Sequence, residues 1–370
     1  MALQYRAAVL HAAQTPMSIE TITAAALRPT DVLVRIRAAG LCHTDLEVIE
    51  GSLRYPLPMV LGHEAAGVVE QVGPAARGVK TGNHVVLSWN PHCGHCFYCD
   101  RDSPILCEEY LGGGPKGRAF DGESRAMLAD GRDLQQLMFL GCFSEYCIVS
   151  DQQAIPVPKE IPFDRACLIG CGVMTGAGAA LNLGAIAHGD NVMVIGCGAV
   201  GLAAVQGARL AGAGTIIAVD LDPAKLALAA RMGATHGVNA STDDLVAAGK
   251  RETAGRGVDV VIESAGSASA FRNSTEAVRP GGQVIWFGKI DVNNDVSFRW
   301  GSLMQEKRIR RVSYGNARPR RDFPLLARAY LDGALMLDEL ISRRITLDGI
   351  NDGFDALKRG EAIRSVITFD

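Results

Sequence analysis

The sequence predicts an α/β protein in two parts, one a mostly antiparallel β domain and the other a doubly wound parallel sheet. Three observations carry this. The 370 residues exceed what a single hydrophobic core ordinarily organises. The first ~150 residues read as short strands joined by glycine-rich turns. From near residue 172 strand and helix patterns alternate, which is how parallel sheets are built.

In chain order, "DVLVRIRAAG" (31–40), "AAGVVEQVG" (65–73) and "GNHVVLS" (82–88) read as strands. Residues 108–140 are polar and irregular, so a long surface loop is expected there. "DNVMVIG" (190–196) is an apolar run of buried-strand type, and "AVGLAAVQGARLAG" (199–212) is helical. "TIIAVD" (215–220) is a strand and "PAKLALAARMG" (223–233) a helix. "GVDVVIESAG" (257–266) and "GGQVIWFG" (281–288) add strands with a helical segment between them. Past residue 313, "RRDFPLLARAYLDG" reads as a helix and "SVITFD" as a closing strand. There is no internal repeat and no low-complexity segment.

A net charge of −3 gives no general field for nucleic acid or an anionic membrane. The basic runs "EKRIRR" (306–311) and "RPRR" (318–321) are expected as solvated or interface arginines. The first twenty residues lack an apolar h-region, and no apolar run reaches the roughly 18 residues that span a bilayer. A cytoplasmic location without membrane or nucleic-acid partners is therefore expected. Ten cysteines in such a chain suggest thiols and metal ligands more than disulfides.

"VMVIGCGAVGL" places Gly196, Gly198 and Gly201 as G-x-G-x-x-G between a strand and a helix. The following strand ends in Asp220, 19 residues beyond Gly201. Together these form a dinucleotide fingerprint. Gly196 permits the turn, Gly198 admits the pyrophosphate, and Gly201 lets helix and strand approach. Asp220 would accept both adenosine ribose hydroxyls and repel a 2′-phosphate, which favours NAD over NADP. "GCGVMTG" (170–176) has similar glycines, but no acid-terminated strand follows at the right distance, so it is not a nucleotide loop.

Cys93, Cys96, Cys99 and Cys107 can close a tetrahedral shell around zinc. A closed shell leaves no position for substrate, so a structural lobe is expected at 93–107. A redox C-x-x-C would need a thioredoxin-like βαβ context. A catalytic zinc needs three ligands and an open position. Cys42, His63, Glu64 and Cys171 are candidates, but spacing does not tie them together. A buried thiol or packed histidine is the plain alternative for each, as it is for Cys142, Cys147, Cys167 and Cys197.

"GLCHTD", "GHEAAG", the four-cysteine lobe, "GCGVMTG", "GCGAVG" and "GEAIRSVITF" occur in an order and at intervals that resemble the zinc-dependent alcohol dehydrogenases. These belong to the medium-chain dehydrogenase/reductase family, and the resemblance runs essentially end to end. It implies a GroES-like catalytic domain at 1–172 and 314–370 and a Rossmann NAD-binding domain at 173–313. It also implies two zinc ions per chain, the catalytic one on Cys42, His63 and Cys171. By the same resemblance Asp45 orients the zinc histidine, Glu64 is the acid beside it, and Thr44 bonds the substrate oxygen and starts the proton relay. Glu47 stands where many members have a relay histidine, and an exposed acid without a relay role is the alternative. His43 and Arg364 match basic groups near the pyrophosphate, and Lys225 a ribose contact. Val200 and Thr175 match residues beside the nicotinamide.

The resemblance further places Leu53, Trp89, Leu106, Leu111, Phe139 and Leu140 facing substrate. A large Trp89 near the metal implies primary over secondary alcohols, aromatic or of medium length, oxidised reversibly to aldehydes. Glutathione- or other thiol-dependent formaldehyde oxidation is the alternative, although Leu53 and Leu111 stand where that branch carries charged residues. Lys289 falls close to the nicotinamide and could face substrate or solvent. The loop at 108–140 resembles the long-loop form, which implies a homodimer through the Rossmann domains with 288–313 at the interface. Two other classes fit parts of the sequence. A zinc-ribbon nucleic-acid binder is supported by the cysteine cluster alone, and zinc-free reductases or lens-type relatives tend to lack the cysteine ligands.

Overall fold

The computed structural model describes residues 2–113, 117–119 and 121–370. It divides into two compact units, Met1–Cys171 with Arg318–Asp370, and Gly172–Ala317. The chain is mixed α/β, with a GroES-like β unit and a six-stranded parallel Rossmann sheet.

The first unit holds two β systems. β1 (Gln4–Leu10), β2 (Ser18–Ala24), β7 (Ala126–Met127), β8 (Asp133–Gln136) and β4 (Met59–Val60) close a small barrel in that order. The second system is a sheet ordered β10 (Ala154–Pro156), β6 (His84–Leu87), β5 (Ala65–Val72), β3 (Asp31–Gly40), β18 (Arg364–Thr368) and β17 (Ile341–Ile345). β9 (Tyr146–Ser150) also pairs with β3. β3 shows period two, with Val32, Val34 and Ile36 buried while Leu33, Arg35 and Arg37 are half-buried. Because β18 pairs with the end of β3, the last strand of the chain returns beside Leu41.

The expected surface loop at 108–140 needs correction. It supplies α2 (Glu108–Gly113), β7 and β8, and it buries Leu128, Leu134 and Leu137. Strands of two to four residues carry too little alternation to stand out in sequence. The segment is anchored to β3 by Arg125, whose Nε and Nη2 reach the Asp31 carboxylate at 2.8 and 3.2 Å, with Asp121 on the same guanidinium. The arginines of "RPRR" also have partners within this unit. Arg318 bonds Asp102 of the cysteine lobe, and Arg320 bonds the Asp151 carbonyl at 3.0 Å.

In the second unit six parallel strands run in the order β13 (His236–Asn239), β12 (Thr215–Asp220), β11 (Asn191–Ile195), β14 (Val258–Glu263), β15 (Val278–Trp286) and β16 (Arg308–Arg311). β11 is buried from Val192 to Ile195, as a central parallel strand must be. The connecting helices include α5 (Ala199–Leu210), α6 (Pro223–Arg231), α7 (Leu245–Arg251) and α8 (Ala268–Ala277). β13 and α7 were not anticipated. β13 buries only Val238, and α7 has just seven residues, opened by Asp244 accepting from the Val246 and Ala247 amides.

"GCGVMTG" is helical, with Met174–Gly178 as α4, and forms no phosphate turn. The membrane reading also needs correction. Phe163–Leu183, which begins with α3 (Phe163–Leu168), is long and apolar enough to cross a bilayer by length and composition. Most of it is buried inside the protein, as in a core helix.

Candidate metal and dinucleotide sites

Cys42, His63 and Cys171 come from three places in the first unit. Cys42 precedes α1 (His43–Glu50), His63 follows β4, and Cys171 follows α3. Their ligand atoms all lie within 4.8 Å of one another, and all three residues are buried. Asp45 organises two of them. One oxygen accepts from His63 Nδ1 at 3.1 Å and from the Gly62 amide at 3.0 Å, and the other accepts from the Cys42 amide at 3.2 Å. With Nδ1 engaged, Nε2 is the ring nitrogen available to a metal. Burial pushes the His63 imidazole towards neutrality, but Asp45 and Cys42 outweigh it and raise its pKa. A hydrogen bond with Cys171, helped by Arg364 and His63, holds Cys42 well below the usual thiol range. Two sulfurs and one imidazole nitrogen, buried and converging, fit zinc with its fourth position open.

Glu64 and Arg364 lie behind this triad, both buried, with Nε 3.5 Å from Oε1. Arg364 also donates to the Leu41 carbonyl at 3.2 Å. A side chain at Gly40 would collide with the Glu64 carboxyl, so this approach requires glycine. On α1, His43 is exposed while Thr44 and Glu47 are half-buried. His43 and Glu47 are four residues apart and share a helix face.

The four cysteines of the lobe also converge, with their sulfurs within 4.8 Å of one another. The Cys107 sulfur accepts from the Cys93 amide at 3.3 Å, and the Cys93 and Cys99 sulfurs are 3.9 Å apart. Hydrogen bonding from the backbone of Glu108, and then of Cys99, brings Cys96 down to about 6. All ten cysteines are free of disulfides.

The proposed substrate-facing residues divide. Leu53 and Trp89 are half-buried against the core, and Phe139 is buried. Leu106 and Leu111 are 45% and 52% exposed. Leu140 is wholly buried in the core. Tyr110 was missed. Its ring lies 6.4 Å from that of Trp89 and 5.6 Å from that of Phe139, making a tilted aromatic wall. Met138 and Phe139 both have positive φ, at 50° and 63°, which turns the chain sharply beneath that wall.

In the second unit, Gly196 has φ 93°, and a Cβ on Gly201 would overlap the Gly196 carbonyl. Gly198 has open space on its Cβ side, and no side chain caps α5 after it, as pyrophosphate access requires. Asp220 accepts from the Cys197 amide at 2.7 Å and the Asp222 amide at 3.0 Å, which fixes its carboxylate at the rim. A cleft of about 740 Å³ is lined by Gly196, Gly198, Asp220, Lys225 and Ser264 among others. Ser264, also missed, donates from its hydroxyl to the Ile195 and Gly196 carbonyls at 3.0 and 2.8 Å. It fastens the glycine turn to β14. Val200 is half-buried in the first turn of α5, Thr175 is half-buried on α4, and Lys289 is exposed after β15. These features fit a dinucleotide.

Residues 28–159 match the alcohol dehydrogenase GroES-like domain family, and residues 199–331 match the zinc-binding dehydrogenase family. An S-(hydroxymethyl)glutathione dehydrogenase of Aspergillus oryzae is 37% identical, covering 98% of this chain and 95% of its own. A solved structure described as an alcohol dehydrogenase zinc-binding domain protein from Burkholderia ambifaria superposes with a TM-score of 0.96 at 36% identity, covering 100% of both chains. The benzyl alcohol dehydrogenase of Acinetobacter calcoaceticus gives 0.94 at 31% identity, again over 100% of both. The chain belongs to the zinc-containing medium-chain alcohol dehydrogenase family. It is a zinc-dependent alcohol dehydrogenase with a structural four-cysteine cluster and a catalytic Cys–His–Cys site, and the family implies NAD(P) as its redox partner.

Proposed function

We propose that the enzyme oxidises primary alcohols, aromatic or of medium chain length, with NAD, and reduces the matching aldehydes. The observation that carries this is the Trp89–Tyr110–Phe139 wall in the unit that holds Cys42, His63 and Cys171. Flat rings accept a benzyl-type group by stacking, and bulk at Trp89 disfavours a second substituent on the carbinol carbon. The relative named for benzyl alcohol supports the same reading.

When bound, zinc polarises the alcohol oxygen and NAD accepts the hydride. Thr44 accepts the alcohol proton and passes it outward, with Glu47 on the same helix as the next acceptor. Asp45 keeps His63 in its ligating orientation. Asp220 selects NAD, because a 2′-phosphate beside it would meet a carboxylate, with Asp243 and Asp244 lining the same cleft. Ten cysteines without a disulfide suit a reducing, cytoplasmic setting.

A thiol-adduct substrate is the second reading, favoured by relatives named S-(hydroxymethyl)glutathione dehydrogenase. Steady-state NADH formation with benzyl alcohol, 1-phenylethanol and S-(hydroxymethyl)glutathione separates the two. Highest kcat/KM for benzyl alcohol is expected. Preference for the secondary alcohol or for the adduct would overturn the proposal.

The chain is further proposed to form a homodimer through the second unit. β16 is an edge strand exposed along its length, and Val292 and Trp300 nearby are 95% and 78% exposed. Unpaired strand edges beside exposed apolar side chains favour strand pairing between copies.

A further inference from the structure

Glu263 ends β14, which lies next to β11 where the strand order reverses. Dinucleotides cross parallel sheets at such a point. The residue is fully buried, yet nothing described above uses its side chain. Oε1 accepts the Gly266 amide at 2.7 Å, in the turn that carries Ser264, Ala265 and Ser267 into the cleft wall. The Glu263 carbonyl accepts the amides of Phe287 and Gly288, each at 3.1 Å. Oε2 has no hydrogen-bond partner and would stand 2.5 Å from a Cβ on residue 288. The Ser264–Ser267 turn at the cofactor edge of the sheet thus hangs on a side chain whose second oxygen is buried and unsatisfied, which is costly to keep charged.

We infer that Glu263 is a positioning residue for the dinucleotide. Its ionised carboxylate, through the Gly266 amide, holds the Ser264–Ser267 turn in the binding shape, and taking up a proton releases it. Charge strengthens the hydrogen bonds it accepts, whereas a proton turns one acceptor into a donor facing amide N–H groups. Burial pushes its pKa up to about 7, against the opposing pull chiefly of the Gly266 amide. The charge set against it is Arg311 on β16. Its register neighbours, Ile195 on β11 and Trp286 on β15, do not titrate. Of the charged residues on α8, Arg272 is exposed and Glu276 pairs with Arg299 at 2.6 Å. Arg209 of α5 lies against Gly233, and Lys289 after β15 meets Gly266 through its backbone.

The inference rests on the cleft holding a dinucleotide. The test is the dissociation constant of NADH and of NAD, by calorimetry, from about pH 6 to pH 8.5, for the wild type and Glu263→Gln. The expected wild-type affinity falls about tenfold from pH 8 to pH 6, because the competent fraction falls by that factor around a midpoint near 7. Glu263→Gln is expected to bind weakly at every pH, with a flat profile. A variant that keeps the wild-type slope, or binds as tightly as wild type at pH 8, overturns the inference. Should Glu263→Gln fail to fold, Arg311→Gln serves, since it removes the cation set against the carboxylate and should move the midpoint upward. An unmoved midpoint would overturn the inference equally. If the wild type binds neither NAD(H) nor NADP(H) at any pH, the dinucleotide reading itself fails instead.

Discussion

Asp45 touches no substrate, yet it holds His63 Nδ1, the Gly62 amide and the Cys42 amide together. Outer partners of this kind change metal affinity or activity by about 10–100-fold when removed. Asp45→Asn should therefore lose zinc from the Cys42–His63–Cys171 site about that much more readily in a chelator titration, with the four-cysteine zinc retained. Equal loss from both sites would refute the assignment. Glu263 makes a prediction of opposite sign for stability. Its pKa is raised, so its contribution is fully present at low pH and is lost as pH rises through about 7. In cofactor-free protein Glu263→Gln should raise Tm at pH 8 and leave it nearly unchanged at pH 5. A lower Tm at pH 8 would show that the carboxylate is structurally favourable. The metal-site residues carried by "GLCHTD" and "GHEAAG" are visible in the sequence only through family resemblance, because no local spacing joins residues 42, 63 and 171. Tyr110, Ser264 and Glu263 gave no such signal, since each acts through a contact between segments far apart in sequence.

At the scale of elements, long periodic segments were legible and short ones were not. β3, α5 and the β11–β12 pair follow directly from alternation, from an apolar run between turn signals and from the glycine fingerprint. β7, β8 and β13 have two to four residues, and their place is decided by pairing across the sheet rather than by their own pattern. A buried ion pair, Arg125–Asp31, ties the segment that carries the barrel strands β7 and β8 to β3. Removing one partner leaves the other charge buried, which costs about 3–5 kcal/mol. Arg125→Met should lower unfolding stability by roughly that amount in chemical denaturation while zinc content stays unchanged. A loss below about 1 kcal/mol would mean the pair is solvated in solution.

For the whole molecule, the "RPRR" run and the four-cysteine cluster are both absorbed into the dehydrogenase fold. The "RPRR" arginines bind Asp102 and the Asp151 carbonyl, and the four cysteines face one another. Assembly through β16 predicts a light-scattering mass of two chains, and Trp300→Glu with Ile309→Lys should shift it to one. A wild-type mass of four chains would contradict the proposed dimer. The central claim is a division of labour between two zinc sites, with Cys42, His63 and Cys171 holding the working metal and the cysteine lobe holding structure. It is tested most directly by zinc content per chain, measured alongside NADH formation, in wild type and in folded Cys171→Ser. Two zincs in the active wild type, and one with turnover abolished in Cys171→Ser, are predicted. Retained turnover in a Cys171→Ser protein that still carries two zincs would contradict the claim.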